Sequence, residues 1–355
     1  YGHLDKQPEM TGWREGLGPW TPVLEGDKLY GRGGADDGYA AFASLLAIEA
    51  AQAAGYPHHR CVVIIEASEE SGSPDLPAHL VALRDRIGTP SLVLCLDSGC
   101  LDHERLWVTT SLRGMAAGTL RVDVLRERVE DAVTGELKVP ELHVEIPSDR
   151  LEQAAATAAA FPQAGNEHPY VPGLRPMVTE PSEQLLALTW RPTLSYTGVD
   201  GIPSVAKAGN VLRPFTAMQL SFRLPPTCDH EAALDALERV LTADPPSGAQ
   251  VSFHGHSGPG WNAPSFAPWL QAALDDASIE VFGNASRAMG EGGSIPFMGM
   301  LGEMFPEAQF VVTGVLGPDA NAHGPNEYLH VPGARKITRV LALLMKAHAE
   351  RGDVS

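Results

Sequence analysis

Two apolar runs each lead, directly or within a few residues, to acidic side chains, and this constrains the fold more than any other feature. Cys61-Val-Val-Ile-Ile65 leads to Glu69-Glu70, and Leu92-Val-Leu-Cys-Leu96 leads to Asp97. Runs rich in β-branched residues and this short read as buried strands, here over 61–67 and 91–97. Between and before them lie Ala- and Leu-rich stretches that read as helices, Tyr39 to Gly55 and Pro77 to Ile87. Strand and helix in alternation predict an α/β sheet with parallel neighbours. Such sheets gather ligands beyond the carboxyl ends of their strands, where Glu69, Glu70 and Asp97 fall.

The middle of the chain follows a different period. Gly118-Thr-Leu-Arg-Val-Asp-Val-Leu125 and Ala217-Met-Gln-Leu-Ser-Phe-Arg-Leu224 alternate apolar with polar residues, and Glu231 to Leu241 reads as a helix. That predicts an α+β domain on an antiparallel sheet with one solvated face. From about Pro259 the α/β pattern returns, with a helix over 265–277, a strand over 309–315 and a last helix from about Gly333. The expected organisation is one discontinuous domain, 1–112 and 257–355, interrupted by an inserted domain over 113–256. Its central sheet is expected to be mixed, mostly parallel and flanked by helices. Tyr1-Gly-His-Leu-Asp5 reads as a strand end entering a loop, so further sequence is expected upstream.

With 26 basic and 44 acidic residues the formal charge is −18, which argues against nucleic acid and anionic membrane as partners. No run reaches the roughly 18 apolar residues of a membrane span. Cys61, Cys95, Cys100 and Cys228 are scattered without a CxxC pair. They read as buried free thiols in a reducing, cytoplasmic setting.

Five short motifs carry the chemistry: Tyr-Gly-His3-Leu-Asp5, Gly-Arg-Gly-Gly-Ala-Asp36-Asp37-Gly, Glu-Ala-Ser-Glu69-Glu70-Ser-Gly, Leu-Asp97-Ser-Gly and Asn-Ala-His323-Gly-Pro-Asn-Glu. Singly, each has a structural reading. His3 could be a core histidine, Asp36-Asp37 a helix cap, Glu69-Glu70 a solvated loop and His323 a surface residue. Together, His3, Asp36, Glu70, Asp97 and His323 supply two imidazoles and three carboxylates, a donor set for two divalent ions sharing a carboxylate. Adjacent carboxylates at a strand end repel each other, and a nearby cation relieves them.

In this order the motifs resemble those of the zinc-dependent peptidase and deacylase family that includes carboxypeptidase G, succinyl-diaminopimelate desuccinylase, acetylornithine deacetylase, aminoacylase and carnosinase. Tyr1-Gly-His-Leu-Asp-Lys-Gln-Pro8, Leu29-Tyr-Gly-Arg-Gly-Gly-Ala-Asp-Asp-Gly38 and Glu291-Gly-Gly-Ser-Ile-Pro296 are most similar to the carnosinase-like dipeptidase branch. The resemblance implies Asp36 as bridging ligand, His3 and Asp97 completing one site, and Glu70 and His323 the other. It implies Glu69 as general base, Asp5 as orienter of His3, and a cis peptide between Asp36 and Asp37. It further implies Arg223, Asn210 and the Gly292-Gly293-Ser294 turn as substrate contacts, and a homodimer formed through the inserted domain, which would act as a lid hinged near 110–116 and 255–262. The implied cofactor is a pair of zinc ions, with manganese or cobalt as alternatives.

Two departures stand out. Gly290 occupies a position where the carnosinase branch commonly has arginine, and no His-Ser-Gly motif follows Leu125. The expectation is that further residues belong near 125–127. Three functions stay open: hydrolysis of dipeptides or short peptides, removal of the acyl group from N-acyl amino acids (or carboxypeptidase action) at the same metals, and ligand binding without catalysis.

Overall fold

The computed structural model describes residues 1–123, 136–165, 173–174, 176–245 and 248–351. The chain sorts into two compact units. One comprises Tyr1–Thr110, Ala263–Met289 and Met300–Ser355; the other comprises Ser111–Asn262 and Gly290–Gly299.

The first unit is built on strands whose ends carry the acidic motifs. Leu92–Cys95 pairs in parallel with Gln309–Val312, from Leu92 against Gln309 to Cys95 against Val312. Gly2–His3 pairs in parallel with Ile65–Glu66. Tyr1 N donates to the Leu94 carbonyl at 2.7 Å, and Leu96 N donates to the Tyr1 carbonyl, which lays this first strand beside Leu92–Cys95. Trp107–Leu112 joins antiparallel, with Thr109 opposite Val312. The sheet is therefore mixed and mostly parallel, as the alternation predicts. Just past Val312 the chain runs hard against Ser98. A Cβ on Gly314 would stand 1.9 Å from the Ser98 carbonyl oxygen, so only glycine allows the approach that backs the Asp97 turn.

The helices Tyr39–Ala53 and Pro268–Phe282 both pack on Val331–Glu350. Ala40, Ala43, Ala47 and Ala51 form the buried stripe of the first helix and share a core with Ile337, Val340, Leu341 and Leu344. Their three- and four-residue spacing puts them on one face. The second helix starts at Pro268 rather than 265, because proline suits the first helical position and bars helical backbone before it. It ends at left-handed Gly283. The stretch expected as one helix over 77–87 is two, Leu76–Ala82 and Arg84–Ile87.

One strand expectation needs correction. Only Ile65–Glu66 of the 61–67 run is strand, and Val62 and Val63 are exposed. Cys61 is likewise exposed and Cys100 half-buried; only Cys95 and Cys228 fit the buried-thiol reading. Ile65–Glu66 is the part of this run that pairs with Gly2–His3.

His348 gives this unit a pH-dependent stability. Its ring is buried, accepts or donates one hydrogen bond with Ser91 Oγ at 2.9 Å, and lies edge-on to His59. Burial, with the Arg351 charge adding, drags its pKa down to about 4, against about 6.5 in an unfolded chain. The folded state therefore holds fewer protons between those values. The stabilisation is complete above about 6.5 and is lost as pH falls towards 4. Urea midpoints of wild type and His348→Gln should accordingly differ more at pH 7.5 than at pH 4.5. A gap of the same size at both would sink this reading.

The second unit carries a four-stranded antiparallel sheet in the order Gln250–Gly258, Gly114–Asp123, Thr216–Leu224, Thr193–Asp200. Leu220, Phe222 and Leu224 alternate into the core and meet Ala233, Ala236 and Leu237 of the helix His230–Thr242. Each large side chain so buried contributes roughly 1.5–3 kcal/mol. Asp229 caps that helix, its Oδ1 accepting from Glu231 N and Ala232 N. The segment after Leu125, where the His-Ser-Gly motif was expected, lies outside the described residues. Among the described residues no helix is long and apolar enough to cross a membrane.

Candidate metal centre

All five expected ligands and both accessory carboxylates belong to the first unit. His3 ends the first strand and is wholly buried. Its Nε2 lies 3.1 Å from Asp36 Oδ1 and 3.7 Å from Asp97 Oδ1. The other oxygen of Asp36, Oδ2, lies 2.8 Å from His323 Nε2, which is 3.5 Å from Glu70 Oε2. Asp36 thus stands between two imidazoles and turns one oxygen to each. The peptide joining it to Asp37 is cis. Neither aspartate caps the following helix, whose cap position is Gly38, so the helix-cap reading does not hold.

Local backbone explains the placement. Glu69 and Glu70 occupy a single helical turn just past Ile65–Glu66. Asp5 fastens that turn, its Oδ1 accepting from Glu69 N at 3.1 Å and its Oδ2 from Glu70 N at 2.9 Å. The same carboxylate lies 3.3 Å from His3 Nδ1, so it steadies the imidazole and both glutamates together. His323 sits in a loop where Asp319, Asn321, His323 and Asn326 all have positive φ. Asp, Asn and His are the non-glycine residues that adopt this backbone most readily.

Electrostatics show an excess of negative charge in the cluster. Burial opposes a charged His3, yet hydrogen bonds to Asp36 and Asp97 overcome it and raise its pKa to about 12. Burial likewise opposes an ionised Asp36, and the two imidazoles still hold it well below the usual carboxylate range. Burial, then the Asp97 charge, lifts Glu69 to about 8. Burial also lifts Asp97, Glu70 and Asp37. Asp36, Asp37, Glu69, Glu70 and Asp97, with Asp5 beside them, crowd two imidazoles, and Asp37 Oδ1 is buried with no hydrogen-bond partner among the described residues. Divalent cations would neutralise this excess. Ligand atoms of His3, Asp36 and Glu70 lie within 4.8 Å of one another, as do those of His3, Asp37 and Asp97. The donors are imidazole and carboxylate alone, which fits zinc and equally manganese or cobalt.

The second unit joins some of the expected substrate contacts. Arg223 Nη1 donates to Ser294 Oγ at 2.8 Å. Arg113 is buried and donates from Nε to the Gly292 carbonyl and from its backbone N to the Gly293 carbonyl. Burial, with the Arg223 charge adding, lowers its pKa to about 10. Among the described residues neither guanidinium has a carboxylate partner. Asn210 is exposed and makes no side-chain hydrogen bond among the described residues.

Sequence reading passed over several residues. Gln7 donates to Glu70 Oε2 at 2.6 Å; it lay inside a quoted motif, but no spacing rule marks a lone glutamine. Asp37 accepts from His3 N at 3.3 Å; adjacency to Asp36 gave no way to separate their roles. Arg113 had no local signal at all.

Comparison with known proteins agrees with the geometry. Over residues 1–347 the chain matches Peptidase_M20, the peptidase family M20/M25/M40. It is 27% identical to the cysteinylglycine-S-conjugate dipeptidase of Corynebacterium striatum, over 92% of this chain and 75% of that protein. It is 26% identical to the Beta-Ala-His dipeptidase of Mus musculus, over 64% of this chain and about half, 51%, of that protein. Among solved structures, the di-peptidase Dug1p from Saccharomyces cerevisiae superposes with a TM-score of 0.83 at 20% identity, covering 99% of this chain and 80% of its own. Human carnosine dipeptidase 1 gives 0.78 at 21%, with the same coverage. These two likenesses speak for the fold. A match over almost the whole length, on a chain that gathers these ligands, places it in peptidase family M20/M25/M40 as a metal-dependent peptidase.

Proposed function

We propose that this peptidase hydrolyses dipeptides or short peptides with two zinc-type ions and Glu69 as general base. The observation that carries the two-ion reading is Asp36, which turns Oδ1 to His3 and Oδ2 to His323. His3, Asp36 and Asp97 would hold one ion; Asp36, Glu70 and His323 the other. When bound, such a pair polarises an amide carbonyl and acidifies water. Glu69 is left free of both ligand sets, on a turn fastened by Asp5. Its carboxylate takes a proton from the attacking water and passes it to the leaving amine nitrogen. In the second unit, Arg223 and Ser294 form a donor pair suited to a peptide carboxylate.

Dipeptide cleavage is favoured by the two relatives named dipeptidases. The test is amine release by zinc- or manganese-loaded protein from matched dipeptides and N-acetyl amino acids. Turnover of the dipeptides alone is expected. Preference for the acylated partners would move the substrate class to N-acyl amino acids, and no turnover of either by metal-loaded protein would remove this reading.

A further inference from the structure

His3 and His323 are held differently. The His3 ring meets Asp36 and Asp97 through Nε2 and Asp5 through Nδ1, and is wholly buried. The His323 side chain is 57% exposed, and among the described residues its Nδ1 has no partner. Ligand histidines are ordinarily aimed by a bond to the second ring nitrogen. The aim of His323 must come from its backbone instead.

That backbone is tied to a buried ion pair. Arg32 and Glu327 side chains are 1% and 0% exposed and hydrogen-bonded, Arg32 Nη1 to Glu327 Oε2. Arg32 Nη2 donates to the His323 carbonyl at 3.2 Å and to the Pro8 carbonyl at 3.1 Å. Glu327 Oε1 accepts from Gly33 N at 2.7 Å. The pair therefore links three loops: one leaving His3, one leading into Asp36, and the one carrying His323. Arg32 Nε is buried without a hydrogen-bond partner. A salt bridge so enclosed is weak evidence of a gain in stability, since desolvation offsets most of the attraction. Its geometry points to another use.

We propose that Arg32 and Glu327 are positioning residues for His323, holding its loop so that Nε2 faces Asp36 and Glu70. The proposal rests on the two-ion reading above. Although the pair also reaches the Pro8 carbonyl and Gly33 N, His3 keeps its own contacts to Asp5 and Asp36, so the ion held by His323 should suffer more when the pair is removed than the ion held by His3 and Asp97.

The test compares wild type, His323→Ala, Arg32→Lys and the double variant Arg32→Met/Glu327→Leu. The double variant removes both charges, so no unpaired charge stays buried. Zinc titration by calorimetry would give stoichiometry and affinity. Spectra of manganese-loaded protein would show whether two ions are magnetically coupled. Wild type should bind two equivalents with a coupled spectrum. The double variant should keep the first equivalent and bind the second roughly 10–100-fold more weakly, as expected on losing outer support of a ligand. Its manganese spectrum should then resemble that of His323→Ala. Arg32→Lys keeps the charge but not the planar fork, so it should fall between. If the double variant does not fold, Arg32→Lys decides: a second equivalent as tight as wild type overturns the proposal. Two tight, coupled equivalents in a folded double variant overturn it as well. A wild-type protein that binds one equivalent removes the two-ion reading, and this proposal with it.

Discussion

Glu69→Gln should fold, load its metals as wild type does, and lose roughly 10²–10⁴-fold in kcat. The amide keeps the shape of the side chain and leaves the backbone bond from residue 69 to Asp5 intact. What it removes is a base able to take a proton from water and return it to the leaving amine. The neighbouring glutamate makes the comparison informative. Glu70 lies beside His323 and accepts from Gln7, so Glu70→Gln should cost metal as well as turnover. Kinetics with a dipeptide, paired with metal content by elemental analysis, separates the two. A Glu69→Gln enzyme turning over at the wild-type rate would exclude Glu69 as the base. A Glu69→Gln protein that loses an equivalent of metal would place this carboxylate among the ligands instead.

The sequence made the strand ends legible because β-branched runs and adjacent carboxylates are both local signals. Leu92–Cys95 and Asp97 follow one another in the chain, as do Ile65–Glu66 and Glu69-Glu70. The antiparallel sheet was legible for a related reason, since Leu220, Phe222 and Leu224 alternate inward along one strand. What was lost was partnership between distant segments. Arg32 and Glu327 are 295 positions apart and carry no shared period. The Gly290–Gly299 stretch clusters with the second unit although its neighbours in sequence belong to the first. Asp37 shows the limit within the centre itself. Two identical side chains in succession differ in role because the chain turns them to different neighbours, Asp36 to two histidine rings and Asp37 to the His3 backbone.

Asp36→Asn should lose both metal ions, where Glu70→Gln and Asp97→Asn should each weaken chiefly one. Asp36 sits between His3 and His323, one oxygen to each ring. Asparagine can offer a single neutral oxygen, and its amide nitrogen carries donors that turn a cation away. The negative charge shared by both ions is gone as well. Loss of a residue that merely supports a ligand weakens metal binding about 10–100-fold, so a shared ligand should cost at least that for each ion. Elemental analysis after dialysis against a weak chelator reads the stoichiometry directly, and circular dichroism checks that the variant is folded. Two ions retained in folded Asp36→Asn would falsify the bridging role. One ion retained would assign Asp36 to a single site, and the variant still holding its partner's ion would show whether His3 or His323 has the other. Loss of both, with single losses at Glu70 and Asp97, is the pattern that only a shared carboxylate produces.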